Sequence, residues 1–303
     1  MLSDARRQRG SRDRRGRGQV AVIVVLGCLL LGCLTMLGLT LRGPSTRGNS
    51  DADYKARAPV DSPSTRPYVD TVVSLTFDDG RQSSYAARAL LAAHGMHGTF
   101  YVNSGLVGAT LDDWHMTWSQ LHELAADGNE VTGHSLTHAH LTKLNRTELR
   151  REICDDRTKL LQQGFSPVTS FAYPYGEYDA AVTAMVKRCG YTSARRVSGI
   201  RAWDCRLCPF AATIPPRRPW AIRAARDIKT ETTLETMKGY VTQAESHGGG
   251  WVVLVFHEIC NACDPYSVTE AQLTSFLDWL QPRASNGTVV KTHGEVMGDA
   301  GAS

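Results

Sequence analysis

Short apolar segments alternate with amphipathic stretches along residues 72–291, and this alternation constrains the fold more than any other feature of the chain. Strands that alternate with helices over short loops predict a parallel sheet with right-handed crossovers. Seven or eight such units predict a closed or nearly closed (β/α) barrel, which is an α/β fold. The predicted strands are 72–77, 99–102, 130–133, 168–172, 191–194, 251–256 and 288–291, and the predicted helices are 83–94, 118–127, 146–163, 178–189, 232–247 and 269–281.

A 22-residue segment without charge, residues 20–41, lies ahead of this region, and seven arginines lie within residues 1–19. At about 1.5 Å per residue the segment reaches roughly 30 Å, the thickness of a bilayer core. Because positive residues stay on the cytoplasmic side, we expect residues 1–19 to be a cytoplasmic tail and 20–41 a transmembrane signal-anchor of the cell membrane. The alternative is a signal peptide whose cleavage would give a secreted protein.

Residues 42–67 are rich in Pro, Ser, Arg and Asp, which predicts a flexible linker, and residues 68–298 form the expected folded domain. Hydrophobic residues make up 42% of the chain and charged residues 21%, which excludes a chain that is disordered throughout. The net charge is +4, and the seven arginines and two aspartates of residues 1–19 account for +5. The folded part is therefore near neutral, and we expect no nucleic-acid partner.

Six cysteines follow residue 41, namely Cys154, Cys189, Cys205, Cys208, Cys260 and Cys263. An even number in an exported domain predicts disulfides. The two Cys-x-x-Cys motifs are also typical of a zinc ribbon, but thiols outside the cell tend to oxidise, so we favour disulfides. The connectivity is open, and a Cys154–Cys189 pair fits because both lie on neighbouring predicted helices.

Polar residues follow four of the predicted strands, at the positions where (β/α) barrels carry their chemistry. The four groups are Asp78-Asp79-Gly80, His134 with His138, Tyr173-Pro174-Tyr175-Gly176, and His257-Glu258. One such group would be unremarkable. Four at four strand ends predict a single active site.

The spacing of His134 and His138 would place both imidazoles on one face of a helical turn, where they could bind one cation. Two histidines and a carboxylate form a common open metal site. The adjacent Asp78 and Asp79 repel each other unless a cation offsets their charge, so one can ligate the metal while the other acts as a base. The alternatives are surface histidines, an aspartate turn that caps a helix, and a buried core role for His257.

Together these segments resemble the polysaccharide deacetylase family, carbohydrate esterase family 4. The matching motifs are SLTFDDG at 74–80, HSLTH at 134–138, FAYPYG at 171–176 and VFH at 255–257. The resemblance covers about residues 70–297 and implies a distorted (β/α) barrel that removes acetyl groups from N-acetylated sugars with a metal. It also implies roles: the metal ligands are Asp79, His134 and His138, the general base is Asp78, the oxyanion donor is the Tyr175 N–H, and the general acid is His257.

The expected ion is Zn²⁺, with Co²⁺, Ni²⁺ or Mn²⁺ as alternatives, because such an ion lowers the pKa of bound water and polarises a carbonyl. We expect Pro174, Tyr175 and Tyr178 to contact the glycan, and Trp203 is a further aromatic that could stack on a sugar ring. Packing within the barrel is the alternative for these aromatic residues.

One position departs from the family pattern. Many members have an arginine two residues before the proline of the third motif, where it orients the base, and this chain has Ala172 there. We expect Arg223 to hold Asp78 instead, with Arg195 and Arg196 as alternatives.

The sequence thus predicts a membrane-anchored hydrolase that removes N-acetyl groups from N-acetylhexosamine units of a cell-wall or surface polysaccharide and releases acetate. The alternatives are an O-acetyl esterase acting on xylan-type glycans and a catalytically silent glycan-binding protein. The identity of the polymer, the native metal and the oligomeric state are not fixed by the sequence.

Overall fold

The computed structural model of this protein describes residues 70–108 and 114–299. The predicted tail (1–19), membrane anchor (20–41) and linker (42–67) lie outside these residues. Within the described part of the chain, no helix has both the length and the apolar character needed to cross a membrane.

Ten strands and eight α-helices form the described part. The strands are β1 (Thr71–Phe77), β2 (Thr99–Val102), β3 (Glu130–Gly133), β4 (Ser170–Ala172), β5 (Ser193–Gly199), β6 (Ile222–Ala224), β7 (Gly250–Phe256), β8 (Glu258–Ile259), β9 (Ser267–Val268) and β10 (Thr288–Val290). The helices are α1 (Ala87–Ala93), α2 (Trp118–Ala126), α3 (Arg146–Arg150), α4 (Asp156–Gln162), α5 (Ala180–Arg188), α6 (Leu234–Ser246), α7 (Glu270–Leu280) and α8 (His293–Met297).

The main sheet is parallel and curves into a nearly closed barrel, as predicted. Its strands run in the order β7, β1, β2, β3, β4, β5, β6, and β10 pairs with the first half of β1. The chain after β6 returns to β7, where the N–H groups of Ala225 and Ile228 donate to Val253 and Val255 at 2.8 Å. The carboxyl ends of the strands therefore meet at one mouth, which is where such barrels place their sites.

Alternation of side chains along the strands separates an outer layer from the barrel interior. On β1, Leu75 and Phe77 join the large apolar cluster that packs under the helices. The opposite face of β1 points inward, where Ser74 accepts a 2.8 Å hydrogen bond from Nε1 of the fully buried Trp251. Residues of the inward face that lie at the end of a strand are thus directed into the mouth.

Helix α8 closes the far end of the barrel. Its first residue, His293, is fully buried, with Nδ1 2.8 Å from the Tyr101 hydroxyl and Nε2 3.0 Å from Oγ of Ser193. Burial and the nearby Arg195 lower the pKa of His293 to about 3, so the ring is neutral at physiological pH. The Gly294 N–H donates to the buried carboxylate of Glu130 at 2.9 Å, which fixes the helix against β3.

Most predicted elements agree with the structure to within a few residues, and the differences are local. The 146–163 prediction corresponds to α3 and α4, which are joined by a π-helical turn at Arg151–Asp155. Asn145 begins this helix with a capping box, since its side chain accepts the N–H of Glu148 while Glu148 accepts the N–H of Asn145. Neither β6 nor α8 was predicted.

Three disulfides are present. Cys154–Cys189, the pair proposed from the sequence, links the π-helical turn to the end of α5. The other two join Cys205 to Cys208 and Cys260 to Cys263, each within its own motif. The prediction of disulfides is confirmed, and the zinc-ribbon alternative is wrong for this structure because all four thiols are paired.

Candidate active site

Asp78 lies at the mouth of the barrel directly after β1, in the inward phase of Ser74 and Thr76, and only 1% of it is exposed. The fully buried Arg195 of β5 donates from Nη2 to Oδ1 of Asp78, and its guanidinium stacks on the Tyr101 ring at 4.4 Å. A charged donor of this kind fixes the direction of a buried carboxylate.

The expectation that Arg223 holds Asp78 is therefore corrected to Arg195, one of the two alternatives. Arg223 lies on β6 between Ile222 and Ala224, whose side chains pack in the interior with Trp251. Strand alternation directs Arg223 to the opposite face, where its Nη1 donates to the Gly199 carbonyl at 2.9 Å.

Asp79 joins the site through an unusual backbone conformation. Strand phase alone would direct its side chain away from the interior, but its φ of 70° is left-handed and redirects the carboxylate into the mouth. Oδ1 of Asp79 lies 3.4 Å from Nε2 of His134 and 3.3 Å from Nε2 of His138. Such a backbone costs roughly 1–3 kcal/mol and is found mainly at functional sites.

His134 and His138 come together on a loop rather than on the predicted helical turn. His134 continues the inward phase of β3, and its Nδ1 donates to the Ala172 carbonyl at 2.8 Å, which leaves Nε2 facing Asp79. Left-handed residues at Ser135 (φ 69°) and His138 (φ 60°) bend the loop so that the two rings lie 4.9 Å apart.

Glu152 stabilises the histidine loop, residues 134–138, through hydrogen bonds. It is buried, its two carboxylate oxygens accept the N–H and the hydroxyl of Thr137 at 2.9 Å each, and its carbonyl accepts the Leu136 N–H at 2.9 Å. Nδ2 of Asn103 donates to the His134 carbonyl at 2.6 Å on the other side. Sequence reasoning missed both residues, since Glu152 lies on the π-helical turn and no pattern predicted that turn.

Electrostatic interactions within the site shift the pKa values of Asp79, His134 and His138. Burial raises the pKa of Asp79, but the facing imidazole of His134 and the charges of His257 and His138 outweigh burial and hold it well below its usual range. Burial lowers the pKa of His134, yet the carboxylates of Asp78 and Asp79 bring it above its usual value. Burial and the neighbouring His134 lower the pKa of His138 to about 4, so that ring offers a free lone pair.

The donor set fits a divalent metal ion. Ligand atoms of Asp79, His134 and His138 all lie within 4.8 Å of one another. Oδ1 of Asp79 is buried and has no hydrogen-bond partner among the described residues, although a buried carboxylate oxygen ordinarily has one. Two imidazole nitrogens and one carboxylate oxygen match an open zinc site. Arg81 fixes the other oxygen of Asp79, with Nε 3.5 Å from Oδ2.

His257 lies across the mouth, directly after β7. Its Nε2 is 3.9 Å from Oδ1 of Asp227, and its Nδ1 is buried without a hydrogen-bond partner among the described residues. Burial raises the pKa of Asp227, against the lowering effect of the charge on His257. Both residues line a cleft of about 730 Å³ that also contains Asp78, Asp79, His134 and His138. Sequence reasoning missed Asp227.

The residues predicted to contact glycan divide into two groups. Tyr175 lines the cleft, has a φ of 59°, and stacks on His140 with ring centroids 3.9 Å apart. Tyr178 instead stacks on Tyr173 at 4.9 Å, and Pro174 is buried. Neither Tyr178 nor Pro174 lines the cleft, so packing accounts for both.

A buried acid beneath the histidine loop predicts a pH-dependent stability. Burial raises the pKa of Asp156 from 3.8 to about 7, against hydrogen bonds from Ser104 and Tyr191. The folded state therefore binds a proton more tightly than the unfolded state, and this stabilisation is complete below pH 3.8 and lost as the pH rises through about 7.

Asp156→Asn should remove this dependence. Between pH 4 and pH 7, we expect the free energy of unfolding of the wild type to fall relative to the variant by roughly 2–4 kcal/mol. Urea unfolding at several pH values measures the difference. Parallel curves for the two proteins would contradict the shifted pKa.

Comparisons with known proteins agree with this site. Residues 65–194 match the family model described as polysaccharide deacetylase. The chitooligosaccharide deacetylase of Sinorhizobium fredii is 27% identical over 135 residues, which cover 44% of this chain and 60% of that protein. YxkH of Bacillus subtilis, named for the polysaccharide deacetylases, is 27% identical over 120 residues, which cover 39% of this chain and 42% of that relative's length.

Among solved structures, the chain resembles a family 4 acetyl xylan esterase from Clostridium thermocellum in complex with a cobalt ion. The TM-score is 0.51 and the identity 19%, and the match covers 75% of this chain and 91% of that chain. This likeness is one of fold. The family-model match to residues 65–194 agrees with the barrel and with the residues at its mouth, so this part of the chain is similar to the polysaccharide deacetylase family, carbohydrate esterase family 4.

Proposed function

We propose that this chain is a metal-dependent hydrolase that removes N-acetyl groups from N-acetylhexosamine units of a cell-wall or surface polysaccharide and releases acetate. The observation that carries the proposal is the convergence of Asp79, His134 and His138 beside a separately held carboxylate, Asp78. The relative named chitooligosaccharide deacetylase supports an amide as the bond that is cleaved.

Asp79, His134 and His138 would hold the metal, with Zn²⁺ the best fit to two imidazoles and a carboxylate and Co²⁺, Ni²⁺ or Mn²⁺ as alternatives. When bound there, a divalent ion supplies Lewis-acid polarisation of the acetyl carbonyl and acidifies water.

The chain's own residues supply the proton transfers. Asp78, oriented by Arg195, accepts a proton from the water that attacks the acetyl carbon. The Tyr175 N–H is the proposed donor to the oxygen that gains negative charge. His257, with Nε2 3.9 Å from Oδ1 of Asp227, donates a proton to the amine nitrogen. The C–O bond forms first and gives a tetrahedral intermediate. Its C–N bond then breaks as the nitrogen is protonated, and the products are acetate and a free amino sugar.

An acetate-release assay of the full-length protein in detergent tests this function. We expect acetate and new free amines from chitin oligomers, peptidoglycan or poly-N-acetylglucosamine, and a loss of both with a chelator that zinc reverses. Acetate from acetylxylan without any free amine would favour the O-acetyl esterase. Glycan binding without acetate release under any condition would favour the silent binding protein.

We also propose that the catalytic domain acts outside the cell and is anchored in the cell membrane by residues 20–41. Residues 42–67 would be the flexible linker between the anchor and the domain. The uncharged segment with its preceding arginines supports this orientation, and the disulfides fit an oxidising compartment. After cell fractionation the full chain should be found with membranes at its full mass. Its recovery in the medium as a shortened chain would favour cleavage.

A further inference from the structure

The exposed aromatic side chains of the described residues gather around the cleft. The large apolar side chains that remain exposed are Trp114, Leu161, Tyr175, Trp203, Leu207, Ile214 and Tyr266. All four aromatic members lie at the mouth, where Tyr175 and Tyr266 line the cleft directly. Trp114 and Trp203 each stack on an arginine that lines it. Exposed apolar surface at a polar cleft is typical of a ligand-binding groove.

Trp203 is 78% exposed and yet firmly supported. The Arg226 guanidinium lies 5.0 Å from the centre of its ring and is itself paired with Asp204. The backbone beneath the ring forms a turn in which the Cys205 N–H donates to the Ala202 carbonyl at 3.1 Å, and the Cys205–Cys208 disulfide closes the following residues. The indole is thus presented to solvent by a preorganised support, which lowers the entropy cost of binding.

Trp114 is 53% exposed and is fixed to the turn that carries Asp79. Its carbonyl accepts the Gln82 N–H at 2.8 Å, and Arg81 lies 5.4 Å from the centre of its ring. Arg81 also contacts Asp79, so this indole is joined to the metal-ligand residues through a single side chain.

The strand order separates the two indoles along the mouth. Trp114 is attached to the loop after β1, whereas Trp203 lies on the connection from β5 to β6. Strands β6 and β7 lie between that connection and β1. The arginines that support the two indoles, Arg81 and Arg226, line the same cleft as Asp79 and His134.

We propose that Trp114 and Trp203 are sugar-stacking sites at the edge of the cleft that contains Asp79, His134 and His138, so that the substrate is a glycan chain with pyranose units beyond the reacting sugar. The apolar C–H face of a pyranose packs on an indole, while its hydroxyl edge reaches the neighbouring Arg81 or Arg226. This inference rests on the proposed deacetylase function and adds to it a preference for polymers over single sugars.

The test compares Trp114→Ala, Trp203→Ala and Trp203→Phe with a matched control, Leu207→Ala. Leu207 is 98% exposed on the same disulfide-closed loop but does not line the cleft. For the wild-type full-length enzyme with zinc we expect kcat/KM to rise with the length of N-acetylglucosamine oligomers. Each alanine variant should lose roughly tenfold on the hexamer, mainly in KM, and little on the dimer. Trp203→Phe should retain most of the activity, and Leu207→Ala all of it.

A binding measurement separates this inference from the proposed function. Calorimetry with the hexamer and metal-depleted full-length protein should show the same tenfold weakening in the alanine variants. If oligomers bind and the variants weaken binding while no acetate is ever released, the stacking sites stand and the deacetylase proposal falls. If acetate is released but both tryptophan variants match the wild type at every length, or if Leu207→Ala loses as much, the stacking sites are refuted.

Discussion

Asp78→Asn is expected to lower the rate of acetate release by roughly 100- to 10,000-fold while the protein still binds its metal. An asparagine has the same shape and can still accept the hydrogen bond from Arg195, but it cannot take a proton from water at neutral pH. The proposed metal ligands Asp79, His134 and His138 are unchanged in this variant. The measurement pairs kcat on an acetylated oligomer with zinc affinity from chelator competition.

Asp79→Asn provides the matched control for this experiment, because it alters the neighbouring carboxylate with the same chemistry. Here we expect weaker zinc binding together with lost activity, since the replaced oxygen is the one that faces both histidines. Turnover of Asp78→Asn at the wild-type rate would show that Asp78 is not the base. Loss of zinc from Asp78→Asn would instead place this residue among the ligands.

Arg195→Leu is expected to lower the free energy of unfolding by about 3–5 kcal/mol and to reduce activity severely. The substitution removes the guanidinium that donates to the buried Asp78, and the loss of one partner of a buried pair is far more costly than the replacement of both. The cation–π contact with Tyr101 is lost as well. Urea unfolding at neutral pH measures the change in stability.

The double variant Asp78→Asn with Arg195→Leu tests whether the loss of stability comes from the broken Arg195–Asp78 pair or from the lost packing of Arg195 on Tyr101. If an unpaired buried charge is the cause, the double variant should be more stable than Arg195→Leu alone, although equally inactive. Arg195→Lys should retain the charge and part of the stability but orient Asp78 poorly, because an ammonium lacks the planar guanidinium geometry. Equal stability of Arg195→Leu and the wild type would disprove the buried pair.

The sequence predicted the barrel and the mouth residues because both follow from local patterns. Strand periodicity depends on residues two apart, and the reactive groups follow directly after the strands. The predicted fifth strand ends at residue 194 and leaves Arg195 outside it, whereas β5 runs from Ser193 to Gly199. With the longer strand, the alternation from Ser193 directs Arg195 into the interior, and the flanking Ile222 and Ala224 direct Arg223 away from it.

Sequence patterns could not predict the features that depend on irregular backbone conformations. The loop that bends at Ser135 and His138 is held by contacts from distant elements, since Asn103 donates to the His134 and Ser135 carbonyls and Glu152 accepts the Thr137 N–H. The π-helical turn that brings Glu152 under the histidine loop likewise has no periodic signature. The residues of the site were therefore predictable, while the way in which the loop holds His138 was not.

Helix α8 is synthesised after all the proposed reactive residues, yet it contacts groups inside the barrel that support them. His293 is the partner of Tyr101 and Ser193 inside the barrel, and Tyr101 is the surface on which Arg195 stacks. A nascent chain that has emerged only as far as His257 carries every proposed reactive residue but lacks α8, whose His293 contacts Tyr101 and Ser193 inside the barrel. We therefore expect the candidate active site to reach its final geometry only after α8 has left the ribosome.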